Sequence, residues 1–379
     1  MRIIRSFIIA LVCALVAGMP VRALAIDTQP DLQEAQAACL TDAYGNILYD
    51  RNAEQELPMA SITKVMTAMV TLDSGIPLST PVHFVEQEYQ EDAQVTGYKT
   101  GDLPSLDELL KVTLIYSGND AATNVAMAVV GSTEAFVSLM NKKAAELGMA
   151  HTHFANPHGL EEDGHYSCAK DLCTMGRYAL EHYPLIREIV KMRSITIAPS
   201  GTWNTFESTD HLMEYYDGLL GIKTGATESG TSFLGAANRH HTQIYSCVLC
   251  CETGQGRFDD SETLLDWGFS LYPELTFARQ DLTYRTAAWQ DGFWLKCPVK
   301  AESDVRGWAF CEGSIKAKSA MYAPGDYVAP ASIYGTTVWS QNGRHVESAT
   351  YKTSQVPVKA KAWNPFIAPV VQENVEEVV

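Results

Sequence analysis

Strand-like stretches near Ala38 and again after Gly218 enclose a long run of helix-like ones, and this order restricts the fold more than any other feature of the sequence. Residues Ala38 to Tyr49 read as two short strands around a turn at Tyr44-Gly45-Asn46. Strand patterns return around Gly221-Ile222, from Phe233 to Ala237 and from Gln243 to Cys251. Between them, Ile62, Val65, Met66, Met69 and Val70 repeat with the 3.6-residue period of an amphipathic helix that starts near Ser61. Ser105-Leu-Asp-Glu108 has capping-box spacing ahead of Leu109, Leu110 and Ile115. Asp120 to Val130 reads as a buried helix of small residues ended by Gly131, and Ser132 opens another to about Leu147. Residues 151–166 form a loop rich in His and Gly, and Ser167 has the place of an N-cap. The helix through Leu172, Met175 and Tyr178 must stop before Pro184. A last helix, Phe258 to Gly268, follows a loop at Gly254–Gly256. Strands, many helices, then strands imply a sheet closed by segments distant in sequence, with a helical lobe inserted: an α+β fold.

Past Pro273 the texture changes. Residues 281–362 alternate polar positions with Tyr, Trp, Val and Phe and carry turns such as Gln290-Asp-Gly292 and Gln341-Asn-Gly343, the pattern of a small β-rich domain. With 379 residues the chain suits two domains, here 26–275 and 281–362. The tail, 363–379, holds two prolines and then Glu373, Glu376 and Glu377, and is expected to be disordered. At the other end, Arg2 and Arg5 precede the apolar run Ile8 to Val16 and the small residues Ala23-Leu24-Ala25. That is an export signal over residues 1–25, cleaved before Ile26. The apolar run falls short of the roughly 20 residues a membrane-spanning helix needs. The protein is therefore expected outside the cytoplasm, in the cell wall or periplasmic space, without a transmembrane anchor.

The 28 Lys plus Arg stand against 45 Asp plus Glu, a net charge of −17 with no basic cluster, which argues against nucleic acid as a ligand. Eight cysteines remain after the one in the signal. They read as buried apolar side chains or as disulfides, Cys297 with Cys311 being the pair to examine first. Cys247-x-x-Cys250 falls in a strand pattern, where residues three apart face opposite sides, so neither a redox pair nor a metal site is expected there.

Three short signals carry chemistry. In Ser61-Ile-Thr-Lys64 the serine sits in the first turn of a helix, with the lysine one turn on along the same face. A serine hydroxyl needs a neighbour to take its proton, and a lysine in a partly desolvated, electropositive cleft can do so. Alone, the spacing equally fits an N-cap serine beside a solvated lysine. Ser117-Gly-Asn119 lies in a turn between helices, either as simple capping or with Ser117 in a proton path and the Asn119 amide on a substrate carbonyl. Lys223-Thr224-Gly225 lies on a strand. Its charge and hydroxyl suit a peptide carboxylate, and Gly225 would let substrate lie close to a strand edge, unless the segment is an ordinary turn.

Together and in this order, the three resemble the S-x-x-K, Ser-x-Asn and K-T-G set of serine penicillin-recognising enzymes. The flanking residues resemble D-alanyl-D-alanine carboxypeptidases, the low-molecular-mass penicillin-binding proteins of peptidase family S11. They include Leu57-Pro-Met-Ala-Ser61-Ile-Thr-Lys64-Val-Met-Thr67-Ala, Ser117-Gly-Asn-Asp-Ala121 and Asp217-Gly-Leu-Leu-Gly-Ile-Lys223-Thr-Gly225. Phe154-Ala-Asn-Pro-His-Gly-Leu160, Gly164-His-Tyr-Ser167 and Asp171-Leu172 add to the likeness, which covers about 27–275 and, more weakly, the β-rich segment. The resemblance implies an α/β-α sandwich of the serine β-lactamase and penicillin-binding-protein transpeptidase fold, with a small C-terminal β domain. It implies Ser61 as nucleophile on the penultimate D-alanine, Lys64 as general base and Ser117 as relay to the leaving nitrogen. Asn119 would orient the acyl side, Lys223 and Thr224 would hold the terminal carboxylate, and the N–H groups of Ser61 and Ala226 would form the oxyanion hole. The substrate would be a peptidoglycan stem peptide ending in D-Ala-D-Ala, β-lactams would be covalent inhibitors, and no cofactor or metal is implied.

Three departures stand out. Ala226 replaces the aromatic or His that often follows Lys-Thr-Gly in the family. Ser208-Thr-Asp-His-Leu212 is poorer in Asn than the usual approach to the third motif. Residues 363–379 lack the basic, amphipathic character of a membrane-surface helix, so release, or loose attachment to wall or membrane by other means, is expected. His151, His153, His158 and His165 fit no zinc spacing and read as loop or substrate-rim residues, and Glu161 and Glu162 read as loop rather than as a deacylating glutamate. The alternatives are a D,D-endopeptidase acting on cross-links, a class A-like β-lactamase and a catalytically idle wall-binding module.

Overall fold

The computed structural model describes residues 29–90, 93–288, 295–321, 333–353, 358–359 and 375–378. The export signal expected at 1–25 lies outside them. The chain separates into two compact units, Thr28–Phe269 and one that includes Ser270–Val379.

In the first unit β1 (Ala37–Asp42) and β2 (Ile47–Arg51) lead to a helical lobe, with α1 (Thr63–Asp73), α2 (Leu106–Ile115), α3 (Asn119–Val130), α4 (Thr133–Glu146), α5 (Ala169–His182) and α6 (Pro184–Ile189). A hairpin of β3 (Ser194–Ile197) and β4 (Asn204–Glu207) precedes β5 (Leu219–Thr227), β6 (Gly230–Arg239), β7 (Thr242–Cys251) and α7 (Gly256–Ser270). The main sheet has the order β2-β1-β7-β6-β5, so β1 pairs with a strand from the far end of the unit, as the sequence pattern predicts. All six residues of β1 are buried because both sheet faces are covered. On one face α7 comes so close that a Cβ on Gly268 would lie 2.5 Å from Leu40 Cδ2, and Phe258 meets Phe233 edge-on at 5.6 Å. On the other, Gly176 of α5 sits against Ile222 and Leu234. This is the α+β sandwich expected.

Several boundaries follow the predicted signals. Ser105 Oγ accepts from Glu108 N–H at 3.2 Å and Ser132 Oγ from Ala135 N–H at 3.2 Å, while Gly131 closes α3 with φ +81°. The capping box is only half formed, since Tyr98 Oη donates to the Glu108 carboxylate at 2.6 Å. The N-cap of α5 is Cys168, not Ser167. Ser167 exchanges backbone hydrogen bonds with Leu57, and that bridge holds it in extended conformation. The β3–β4 hairpin was not foreseen. Strand β7 fits its prediction, but Cys250 has φ +54° and the β6–β7 register shifts nearby, so strict alternation fails at that end.

Among the described cysteines, six in this unit are buried and free, and Cys311 is free and half-buried. Burial pushes the thiols of Cys173 and Cys247 well above the usual range. The Cys297 side chain lies outside the described residues.

The second unit is β-rich as expected. Its larger sheet has the order β15-β10-β14-β13-β12-β16, with β9 (Arg285–Ala288) also paired to β10 (Leu295–Ala301). The others are β12 (Ile315–Met321), β13 (Ile333–Gln341), β14 (Arg344–Thr353), β15 (Val358–Lys359) and β16 (Val375–Val378), while β8 (Glu274–Ala278) pairs with β11 (Val305–Trp308). Strand β16 corrects the expectation of a wholly disordered tail. Its four residues pair antiparallel with Ile315–Lys318, placing Glu377 opposite Lys316. A free strand edge elsewhere supplies the partner that tail composition could not reveal. No single described helix is long and apolar enough to cross a membrane.

Candidate active site

Ser61 lies in a 3-10 turn, Ala60–Ile62, that runs directly into α1. One turn on, the Lys64 side chain is fully buried, and its Nζ lies 2.7 Å from Ser61 Oγ, 2.7 Å from Asn119 Oδ1 and 2.5 Å from the His158 carbonyl oxygen. Burial lowers its pKa well below the ordinary lysine range, and the positive charge of Lys223 lowers it further, against an opposing pull from Asp120. The neutral amine so favoured has two N–H donors and one lone pair. An amide oxygen and a backbone carbonyl can only accept, so Asn119 and His158 take the two donors. The lone pair then faces Ser61 Oγ, the one partner with a proton to give. The sequence-predicted Ser61, Lys64 and Asn119 therefore meet in one hydrogen-bonded group.

Ser117 lies in the turn between α2 and α3 with φ +74°. It is buried, and its Oγ has no hydrogen-bond partner among the described residues. A strained, buried, unpartnered hydroxyl beside Asn119 is unusual outside a functional position. The turn is anchored from below. Asn119 N–H donates to the Gln94 carbonyl at 2.8 Å, and the Asp120 carboxylate accepts from Thr96 N–H at 2.8 Å and Thr96 Oγ1 at 2.7 Å.

The third signal lies on β5, the edge strand of the sheet. Lys223 is buried, and burial together with nearby Arg257 pushes its pKa down to about 7, with Asp210 opposing the shift. Thr224 Oγ1 shares a 2.5 Å hydrogen bond with Thr209 Oγ1, and Ala226 is exposed. Gly225 has a different reason from the one expected. A Cβ there would lie 2.8 Å from Ala60 Cβ and 3.0 Å from the Met59 oxygen, so glycine lets the strand approach the turn that carries Ser61.

Sequence reasoning missed the groups that bind these parts together. His158 acts through its backbone carbonyl, which no side-chain pattern can announce. The loop behind it is held by Asn156, whose Oδ1 accepts from Gly159 N–H at 2.7 Å and whose Nδ2 donates to the Leu160 carbonyl at 2.9 Å. Thr63 Oγ1 donates to the Ala60 carbonyl at 2.8 Å and lies 2.8 Å from His165 Nε2. Because His165 Nδ1 accepts from Ala155 N–H, Nε2 carries the ring proton and donates to Thr63. Burial lowers His158 to about 3 and His165 to about 4, so both are neutral at pH 7. Glu161 accepts from Ser229 N–H at 3.1 Å, and Glu162 from Asn156 Nδ2 at 3.0 Å. From α7, Arg257 Nη1 donates to the Gly225 carbonyl at 2.8 Å, which puts a second cation beside Lys223.

An open groove of about 730 Å³ adjoins this group, lined in part by Thr96, Tyr116, Phe206, Thr209 and Arg257.

The family model of the peptidase S11 D-alanyl-D-alanine carboxypeptidases matches residues 25–253. The chain is 34% identical over 256 residues to the D-alanyl-D-alanine carboxypeptidase DacF of Bacillus subtilis, covering 63% of each chain, so it spans under two thirds of that relative. Penicillin-binding protein D2 of Listeria monocytogenes, solved with cefotaxime bound, matches 64% of this chain and all of its own at 31% identity, with a TM-score of 0.58. Penicillin-binding protein 5 of Haemophilus influenzae shares the fold over 87% of this chain and 99% of its own, with a TM-score of 0.63 at 23% identity.

Proposed function

Because this chain belongs to the peptidase S11 family of D-alanyl-D-alanine carboxypeptidases, we propose that it is an exported serine carboxypeptidase that removes the terminal D-alanine from peptidoglycan stem peptides. The observation that carries this reading is the Lys64 contact set, in which two acceptor-only oxygens leave the lysine lone pair to Ser61 Oγ.

In the mechanism, neutral Lys64 takes the Ser61 proton as Oγ attacks the carbonyl carbon of the penultimate D-alanine. The backbone N–H groups of Ser61 and Ala226 hold the oxyanion, a donor pair of a kind typically contributing 10²–10³-fold in rate per donor. Ser117, with its hydroxyl unengaged, gives its proton to the leaving nitrogen as the peptide bond breaks and takes in return the proton that Lys64 received from Ser61, so that Lys64 is neutral again. Lys223, Thr224 and Arg257 hold the departing D-alanine carboxylate, and Asn119 serves both Lys64 and the acyl side of the peptide. Water then hydrolyses the Ser61 ester, with Lys64 again taking a proton. A β-lactam acylates the same oxygen. The open position at Ala226 leaves one side of the acyl site without the wall an aromatic residue or His would supply.

The test is D-alanine release from a diacylated Lys-D-Ala-D-Ala tripeptide. Release by the wild type and none by Ser61→Ala is expected, and release that persists in Ser61→Ala would sink the reading.

A further inference from the structure

We propose that Asp210 is a positioning residue for the carboxylate site: its buried negative charge lets the two cations Lys223 and Arg257 stand side by side and face one substrate carboxylate. The proposal rests on the carboxypeptidase reading above, which makes Lys223, Thr224 and Arg257 the carboxylate-binding groups, and it adds the charge that those groups need behind them.

Contacts on either side of Asp210 fix its place. The residue before it, Thr209, shares the 2.5 Å hydrogen bond with Thr224, the neighbour of Lys223. The residue after it, His211, meets the ring of Phe258, the neighbour of Arg257, with ring centres 6.1 Å apart. Asp210 therefore lies between the strand that carries Lys223 and the helix that carries Arg257. It is only 6% exposed, and neither carboxylate oxygen has a hydrogen-bond partner among the described residues. A plain structural task would be to cap the 3-10 turn His211–Glu214 that it precedes, but its side chain makes no capping hydrogen bond. A buried, unpartnered carboxylate is costly to keep, and the charges around it supply the reason.

Lys223 Nζ donates to the Thr224 carbonyl at 3.2 Å, and Arg257 Nη1 donates to the Gly225 carbonyl at 2.8 Å while its Nε has no partner among the described residues. Neither bond neutralises a charge. A guanidinium does not shed its proton in a protein, so repulsion between the two cations falls on Lys223. Burial and Arg257 push Lys223 down, and Asp210 is the group that opposes them. The other titratable groups facing this cluster are Lys64 from α1, Cys251 from β7 and Tyr215 beside Asp210. Burial holds all three neutral at pH 7, lowering the lysine and raising the thiol and the phenol. Burial also pushes the Asp210 carboxyl up to about 6, which leaves it charged at pH 7 and makes it the negative member of the group. It reaches both cations through space, not by a hydrogen bond, and in a buried site that attraction is little screened. With a substrate carboxylate in place, positive and negative charges balance.

The experiment compares the full-length wild type with two variants that remove the charge, Asp210→Asn at nearly constant shape and Asp210→Ser with room for water. Thermal melting at pH 6 checks each fold, and loss of the fold in both would make the residue structural and overturn the proposal. The first readout is Lys223 itself, followed from pH 5 to 9 by NMR of isotope-labelled lysine Cε, with Lys223→Arg assigning the signal. Its midpoint is expected to lie about one pH unit lower in the variants, as befits removal of a nearby opposite charge. The second readout is kcat/KM for D-alanine release, whose fall with rising pH should begin about one unit earlier. At pH 8 that is a drop about tenfold larger than in wild type, while a matching C-terminal amide keeps the wild-type profile. A capping or packing role would leave the midpoint in place. The same Lys223 midpoint in all three proteins, or an equal change for acid and amide, overturns the proposal and leaves the carboxypeptidase reading intact. A wild type that releases no D-alanine overturns that reading, and the NMR midpoint still decides whether Asp210 sets the charge of Lys223.

Discussion

Gly159→Ala is the substitution that most directly probes how the loop at 154–160 supports the turn that carries Ser61. Gly159 has φ +95°, and an added Cβ would stand 2.1 Å from the Ala60 carbonyl oxygen, 2.5 Å from its carbon and 2.9 Å from the Ser61 nitrogen. All three obstacles are backbone, so no side-chain rotation relieves them. Forcing an L-residue into a left-handed conformation costs about 1–2 kcal/mol. Overpacking in a tight site adds typically 1–3 kcal/mol, for a total of roughly 2–5 kcal/mol. The loop must withdraw, and it takes with it the His158 carbonyl that orients Lys64. Activity should therefore fall further than stability. Urea unfolding and D-alanine release, measured on the same preparation, test both parts. Unfolding free energy within about 0.5 kcal/mol of wild type together with kcat/KM within about twofold would refute the reasoning.

Other perturbations follow from the same geometry. The β6–β7 turn places His240 and His241 at φ +51° and +62°, a type I′ hairpin built from residues that disfavour it. Replacing the pair with Asn-Gly should stabilise by roughly 1–2 kcal/mol and raise Tm by a few degrees, read by calorimetry. Buried Asp260 accepts the N–H groups of Gln33, Glu34 and Ala35 at 2.7, 2.9 and 2.7 Å. Asp260→Ala leaves three donors unpaired and should cost roughly 3 kcal/mol or more in chemical denaturation. With its pKa pushed down to about 7, Lys223 is charged below pH 7 and loses its charge above it. For D-Ala-D-Ala substrates kcat/KM should fall as pH rises from 6 to 8 while kcat holds, because a bound carboxylate restores the charge. A C-terminal amide should show no such fall, and an equal fall for it would remove Lys223 from carboxylate binding.

The three signals were legible because each is a local pattern whose chemistry depends on side chains. Ser61 and Lys64 share one helical turn, and the turn at Ser117–Asn119 needs its small residues. The sheet was legible because β1 and β5–β7 carry apolar runs bounded by turn residues. What escaped was carried by the backbone or by contacts between distant segments. The His158 carbonyl has no residue signature, and Arg257 joins the site from a helix that reads simply as packing. Gly225 looked like room for a ligand until Ala60 stood in that room. Ser167 was displaced as N-cap by a bridge to Leu57, more than a hundred residues earlier in the chain. The β3–β4 hairpin, four residues a side, is too short to stand out from its loops, yet its second strand lines the groove.

The central claim is that Ser61 is acylated because buried Lys64 takes its proton. It is tested most directly by mass spectrometry of the protein after brief exposure to benzylpenicillin at pH 7.5, with wild type beside Lys64→Gln and the fold of each checked by thermal melting. The account predicts one adduct on the Ser61 peptide in wild type and none in folded Lys64→Gln over the same interval. Equal labelling of Lys64→Gln, or an adduct on any other residue, would contradict it.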